Sequence, residues 1–296
     1  MADQVGQADI RGIDIDAVAK GYADEMFVFK RFVTNSPTSA RENRWFQKTS
    51  GVIDTADSTA ITASQIDGVA EGALPHVAQQ SWTRNTSYIK KYFIESPWIT
   101  EEDIMDSSPD VLATHVRDLV RAVQSRVDAH IFDIMSESQS VANINSVTTT
   151  AVGGDQWDAA SGQNPLKDIM RAKRLIRQNG YDPEGGTLLL DSLGHESLLV
   201  YLISTAGANF TAVASDKVQS GVVMNILGLN VVVSENVVTD YALVFAKEAA
   251  TWKSFGSLTS AIKTEEGIGR KIRVWEWGIC ILTDPKAVTL IVDLNT

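Results

Sequence analysis

Residues Pro97–Phe132, PWITEEDIMDSSPDVLATHVRDLVRAVQSRVDAHIF, carry the clearest structural signal in the chain. Ser108 followed by Pro109 is an N-cap residue ahead of a proline, and the N–H that proline lacks would be unsatisfied in a first helical turn anyway. Glu101, Glu102, Asp103, Asp106 and Asp110 crowd the approach, where the positive end of a helix dipole favours negative charge. Leu112, Val116, Leu119, Val120, Val123, Val127, Ile131 and Ile134 then recur in steps of three and four, the apolar stripe of one α-helix. No glycine or further proline interrupts 109–136. The spacing therefore predicts a rod ~40 Å long, from the rise per residue of an α-helix. It is longer than most globular helices and reads as a strut.

Working outward, residues 1–43 read as an arm. Ile10, Ile13, Ile15, Val18, Tyr22, Met26, Phe27, Phe29 and Phe32 are interleaved with acids, too thinly to make a core of their own. Residues 44–93 form the next unit. Trp45–Phe46 and the stretch bearing Trp82, Tyr88, Tyr92, Phe93 and Trp98 flank the small, polar run SGVIDTADSTAITASQ at 50–65. Two β-prone stretches around a polar tip predict a long, exposed, hairpin-like excursion.

Beyond the strut, 137–163 reads as a polar loop. Asn164-Pro165 starts a second helix with Leu166, Ile169, Met170, Leu175 and Ile176 on one side, and Asn179-Gly180 stops it. A strand at 187–190 is followed by a helix from Ser192, with Leu198, Leu199, Leu202 and Ile203 as its apolar face. A short helix near 222–227 ends at Gly228, then come a strand at 229–233, a turn at 234–236 and a strand at 241–245. This middle block reads as a compact α/β layer. In the tail, Lys271–Leu282 and Lys286–Leu294 read as long strands joined by the turn-forming triplet Thr283-Asp284-Pro285.

Composition narrows the function. The chain has 296 residues, 44% of them apolar, with 26 basic against 37 acidic side chains and a net charge of −11. That is enough apolar content for a real core and too little charge density for disorder. The acidic balance argues against a protein whose task is to grip phosphate backbones. The single cysteine, Cys280, excludes an internal disulfide framework. The first residues hold aspartates and no apolar run typical of a secretory signal, and no stretch approaches the ~20 apolar residues needed to cross a bilayer. The chain reads as a soluble intracellular product.

The catalytic inventory is poor. His76, His115, His130 and His195 are scattered, and no pair has metal-ligand spacing. Cys280 lies in an apolar run without a basic neighbour and reads as an inert thiol. Asp191, Ser192 and His195 superficially offer a triad, but Ser192 lacks the flanking glycines of a nucleophile elbow, and helix capping explains these residues more simply. Gly267-Ile-Gly-Arg-Lys271 matches neither phosphate-loop spacing and reads as a turn joining strands. No metal or cofactor is expected. The basic and aromatic run Trp82, Arg84, Tyr88, Lys90, Lys91 and Tyr92 reads as a surface for a partner protein.

The order of these elements is similar to that of one family. An arm, a long β excursion, an acidic approach, a long helix, an α/β block and closing strands resemble the major capsid proteins of tailed bacteriophages and related archaeal viruses, whose fold encapsulin shells share. Pro97–Phe132 resembles the run into the spine helix of that family. Leu227-Gly-Leu-Asn-Val-Val-Val-Ser234 resembles a turn where a short helix feeds a strand, and Ile272–Trp277 with Asp284–Val288 resembles its closing hairpin. The resemblance implies an α+β fold with an N-terminal arm at 1–43, an extended loop at 44–93, and a peripheral domain at 94–142 and 265–296 with its spine helix at 109–136. Residues 143–264 become the axial domain.

It further implies a non-enzymatic shell protein that assembles as hexamers and pentamers into an icosahedral virion capsid around double-stranded DNA, made in the host cytoplasm. DNA contact would be weak and sequence-independent. The other partners implied are a separate scaffolding protein, a portal and a decoration protein; no membrane is involved. Some family members weld subunits through a lysine on the extended loop, but no lysine lies between Lys48 and Lys90, so non-covalent assembly is expected. Because the arm and loop cannot bury their own apolar side chains, neighbours must cover them. The interface candidates are Phe27, Phe29, Phe32, Trp45, Phe46, Trp82, Arg84, Tyr88 and Tyr92. Rival expectations are an encapsulin-like compartment holding protein cargo, an α/β enzyme built on Asp191 and His195, and a tail or head-completion ring.

Overall fold

The structure is a computed structural model and describes residues 29–48, 70–74, 82–106, 111–139, 142–150, 154–159, 161–203 and 225–295. The excursion's tip, Phe27 and the expected Ser108-Pro109 cap lie outside the described residues. The spine is α2 (Val111–Met135), preceded by a short helix α1 (Glu101–Asp106) that the acidic approach itself forms. Leu112, Val116, Leu119, Val120, Val123, Val127 and Ile131 are all buried along one face. Near its end the stripe rolls onto Phe132 and Met135, both fully buried, leaving Ile134 at the margin.

That stripe packs on a five-stranded sheet in the order β1-β11-β12-β4, with β5 also on β12. The strands are β1 (Thr34–Pro37), β4 (Lys90–Glu95), β5 (Ile99–Thr100), β11 (Ala250–Glu265) and β12 (Gly269–Leu282). Ile272, Val274, Trp252 and Leu258 face α2 and share its core. The turn between β11 and β12 holds Gly267, as the sequence suggested, in the left-handed region at φ 72°. Gly278 allows a close approach: a Cβ there would drive into the Trp252 indole.

A six-stranded sheet lies beside it in the order β6-β13-β10-β7-β9-β8. Its strands are β6 (Asn145–Thr148), β7 (Thr187–Leu190), β8 (Asn225–Ile226), β9 (Leu229–Val233), β10 (Tyr241–Phe245) and β13 (Val288–Val292). Period-two alternation splits its central strands between two cores. Leu189, Leu243, Phe245, Val288 and Leu290 join the core under α2. Leu188, Leu190, Ala242, Val244 and Ile291 pack instead with Ile169, Ala172 and Ile176 of helix α3 (Pro165–Gln178). Helix α4 (Ser192–Tyr201) follows β7, and its Leu198 enters the same core. No described helix is long and apolar enough to cross a membrane.

Several expectations need correction. Residues 225–228 are not the end of a helix: β8 and β9 form a tight hairpin whose corner, Leu227 at φ 51° and Gly228 at φ 79°, has the two positive angles of a type I′ turn. The closing hairpin does not exist either. β12 and β13 adjoin in sequence but enter different sheets, and the true long hairpin is β11–β12, which the sequence reading missed. Within the expected polar loop, Asn145–Thr148 is a strand parallel to β13; the Asn145 amide donates to the carbonyls of Lys286 and Val288. Met170, expected on the buried side of α3, is exposed.

Residues 250–264, placed in the axial domain, pair along their length with β12. Residues 288–292, placed in the peripheral domain, sit inside the six-stranded sheet.

Candidate subunit interface

The base of the excursion is an antiparallel pair of strands, β2 (Glu42–Lys48) and β3 (Trp82–Tyr88), in register from Glu42 opposite Tyr88 to Lys48 opposite Trp82. The pair is bolted to the end of β12. The Trp45 indole N–H donates to the Leu282 carbonyl at 3.1 Å, the Gln47 amide donates to the same oxygen at 2.6 Å, and the Asn85 amide donates to Gln47 at 2.5 Å. These bonds fix the hairpin's departure from the body. Three of its side chains face outward: Phe46 is 60% exposed and Tyr88 66%, and Arg84, opposite Phe46 in register, is exposed. An exposed aromatic on a strand anchored this firmly is surface waiting for cover.

The remaining candidates divide. Trp82 contributes its backbone to the pair with Lys48. Trp45 is half-buried. Three candidates prove to be interior or at its margin in the lone subunit. Phe29 is 1% exposed and lies in the core with Val33 and the α2 stripe, and Phe32 packs against that core. Tyr92 turns inward too, its ring 6.1 Å from His130 and 6.3 Å from Trp252. The physical reason is strand parity. On β4, Tyr92 and Ile94 face α2, so it is Lys91, Phe93 and Glu95 that face away.

That outward face holds residues the sequence reading overlooked. On β12, Lys271, Arg273, Trp275 and Trp277 alternate with the inward Ile272, Val274 and Glu276. Lys91 reaches over Phe93, Trp277 and Trp275 at 4.4, 4.9 and 5.8 Å from their ring centroids. Phe93 stacks on Trp275 and Phe255 on Trp277, at 6.0 and 5.9 Å. Farther along, Lys271 and Lys263 stand 4.7 and 5.7 Å from the Trp98 ring. Cations at such distances are drawn to the ring faces. The carboxylate here, Glu95, bonds Lys271 at 3.0 Å and Arg273 at 2.5 Å, and these two partners hold it below the usual carboxylate range. The result is a basic, aromatic face on an acidic protein, with Phe93 48% exposed. The signal was present in the period-two run KIRVWEW, but its parity was not.

The catalytic alternatives have structural roles. The Asp191 carboxylate caps α4, accepting from the Gly194 N–H at 2.8 Å. Cys280 is buried, and desolvation pushes its thiol up to about 12. Burial takes His130 down to about 4, so it stays neutral. Among the described residues, no group of three or more histidine, cysteine, aspartate or glutamate side chains could hold a metal ion.

Comparisons with known proteins agree with this geometry. A family model described as phage capsid protein matches residues 97–291. A capsid structure of the cyanophage P-SCSP1u superposes with a TM-score of 0.67 at 12% identity, over 91% of this chain and 89% of that one. A virus-like particle from Pyrococcus furiosus gives 0.61 at 11% identity, over 95% and 99%. Mycobacterium phage Che8 gives 0.58 at 15% identity, over 87% and 86%. No curated protein sequence matches.

Proposed function

Because this chain belongs to the phage capsid protein family, and is on that ground a major capsid protein of an icosahedral shell, we propose that the shell is built from hexamers and pentamers of this one chain around packaged double-stranded DNA. The observation that carries the proposal is the exposed aromatic hairpin, rigidly fixed to a body whose outward face is itself basic and aromatic. Among the described residues no other segment covers either surface, and repeated head-to-tail contacts between copies would cover both. Charge supplies a pairing rule. Residues 49–81 contain Asp54, Asp57, Asp67 and Glu71 and no lysine or arginine, whereas the outward face gathers Lys91, Lys263, Lys271 and Arg273. The acidic excursion of one copy would therefore lie on the basic face of the next.

A portal, a separate scaffolding protein and a decoration protein would complete the particle, with synthesis in the host cytoplasm and no catalytic activity. DNA contact would be weak and sequence-blind, since a net charge of −11 per subunit disfavours a tight phosphate grip. The experiment is electron microscopy and analytical ultracentrifugation of the full-length chain, alone and co-expressed with its neighbouring genes. Closed polyhedral particles holding nucleic acid support the reading; a small oligomer under all conditions refutes it. A second reading is an encapsulin-like compartment; the nearly end-to-end match to a virus-like particle from Pyrococcus furiosus shows that this fold also builds a particle described only as virus-like. Protein cargo without nucleic acid inside the particles would select it.

A further inference from the structure

The root of the arm enters the interior of the subunit. At the 3-10 turn Phe29–Arg31, the Phe29 N–H donates to the Asp128 carboxylate on α2 at 3.3 Å. The neighbouring Lys30 ammonium pairs with Glu276, 246 positions later, and stands 5.5 Å from the Trp252 ring centroid. Glu276 is the one inward-facing charge in the run KIRVWEW, and its exposure is 0%. Among the described residues its second oxygen, Oε2, has no hydrogen-bond partner. The surroundings are polar: the Tyr92 hydroxyl, the Trp252 indole N–H and His130 Nε2 are also buried, with no partner among the described residues. Tyr92 lies directly across the β4–β12 ladder from Glu276.

A carboxylate with no solvent contact stays ionised only beside a compensating cation, and a lone buried charge gives way to the neutral form. Among the described residues, the cation paired with Glu276 is supplied by the arm root alone. We propose that Lys30 and Glu276 form a proton-coupled latch, in which seating the arm root beneath α2 ionises Glu276 and protonating Glu276 releases the root. The proposal concerns the single subunit and does not depend on the shell reading.

Charge bookkeeping supports it. Burial pushes the Glu276 carboxyl above the usual glutamate range even with Lys30 opposing; the latch requires that the body keep Glu276 enclosed when the root leaves, so that in the released state burial acts unopposed. The seated state therefore binds fewer protons than the released one at pH values between those two pKa values. Seating strengthens as pH rises through that interval, which lies above the ordinary glutamate range, and weakens as pH falls through it. The other groups facing the latch are accounted for by element. From α2 come Asp128 and His130, the latter neutral above about 4, with Arg126 and Asp133 acting on His130 and Tyr92. From β4 come Lys90, which acts on His130, and Tyr92, raised by burial; from β12 comes Cys280, pushed up to about 12. Asp128 is the carboxylate from which Glu276 has to be distinguished.

The test is limited proteolysis of the full-length chain with proteinase K between about pH 8 and pH 5, with rates normalised to an unstructured peptide and cleavage at residues 28–33 followed by mass spectrometry. Near-ultraviolet circular dichroism at each pH reports that the body stays folded. One proton linked to release gives protection falling by up to about tenfold per pH unit across the latch interval. Glu276→Gln is expected to flatten that slope, Lys30→Met to give low, flat protection, and Asp128→Asn to keep the slope. A flat wild-type profile overturns the latch, as does a slope that survives Lys30→Met or loss of protection only on global unfolding. A slope abolished by Asp128→Asn and kept by Glu276→Gln overturns it in favour of Asp128. Should Glu276→Gln fail to fold, the wild-type and Lys30→Met profiles decide alone.

Discussion

Replacing Phe46 by serine removes an exposed aromatic from the strand that Trp45 and Gln47 bond directly to the body. A phenylalanine side chain in contact removes roughly 200 Å² from water. With Phe46 60% exposed in the subunit, a neighbour could cover about 120 Å² of it, on the order of 3 kcal/mol at ~25 cal/mol per Å². Ordering and imperfect packing at an interface reduce that to as little as about half, leaving about 1.5–3 kcal/mol per contact. Each subunit makes one such contact through this residue, so the critical concentration for assembly should rise by roughly 10- to 100-fold. Folding of the lone subunit should not change, because the substituted side chain already faces water there. Light scattering against protein concentration measures the first quantity and urea unfolding of dissociated subunits the second. Unchanged assembly, or a subunit destabilised by as much as the assembly, would refute the reasoning that places Phe46 between copies.

The remaining predictions concern the interior and the bonding of the shell. Trp157→Phe removes the indole donor, at 3.1 Å, from the buried Asp168 carboxylate, and should cost about 1.5–3 kcal/mol near neutral pH in urea unfolding. Burial already raises the pKa of Asp168, so the native chain takes up this proton more readily than the unfolded one. The cost of ionised Asp168 is incurred above its native pKa, and the variant's deficit should shrink as pH falls through it. Gly278→Ala drives a methyl group into the fully buried Trp252, and should lower unfolding free energy by about 1–3 kcal/mol with the same denaturant slope. Finally, the lysine-free stretch between Lys48 and Lys90 predicts that mature particles boiled in detergent run as a single monomer band; a ladder of multimers would contradict it.

What could be read from the chain beforehand follows its periodicity. The α2 stripe, the Asn164-Pro165 helix start and the strands at 187–190 and 241–245 were legible because each has an unbroken local pattern. β11 was not. Its burial alternation is broken by register shifts between Ser254 and Gly256 and again before Thr259, so ATWKSFGSLTSAIKTE reads as a polar stretch although it pairs for most of its length. The false closing hairpin arose because adjacency in sequence is the strongest guide to pairing, and the Asp284–Ala287 corner carries the chain from one sheet to the other instead. For the outward surface, the sequence singled out Phe46 and Tyr88, which are exposed, but not Phe93, Trp275 and Trp277. Aromatic content marks a strand as sticky, but which of two neighbours faces water depends on where α2 packs, a tertiary fact.

That dependence has a mechanical consequence. Along KIRVWEW the residues that stabilise the subunit and those that would meet a neighbour occupy alternate positions of one strand. A slip of one residue in the pairing of β12 would exchange the two sets, placing Lys271, Arg273 and both tryptophans against α2 and Ile272 and Val274 in water. On the proposed interface, assembly competence depends on register, and the fold pins register at several points. Gly278 admits Trp252 at one place only, the bulges of β11 break its translational uniformity, and the bonds from Trp45 and Gln47 to Leu282 seat the excursion at the strand's end. Glu276 adds a further pin, because its partner Lys30 sits on another segment and a slip would leave that charge on the wrong face. A buried ion pair contributes little net stability against an apolar substitute, but it discriminates strongly between two registers that apolar residues alone would nearly tolerate.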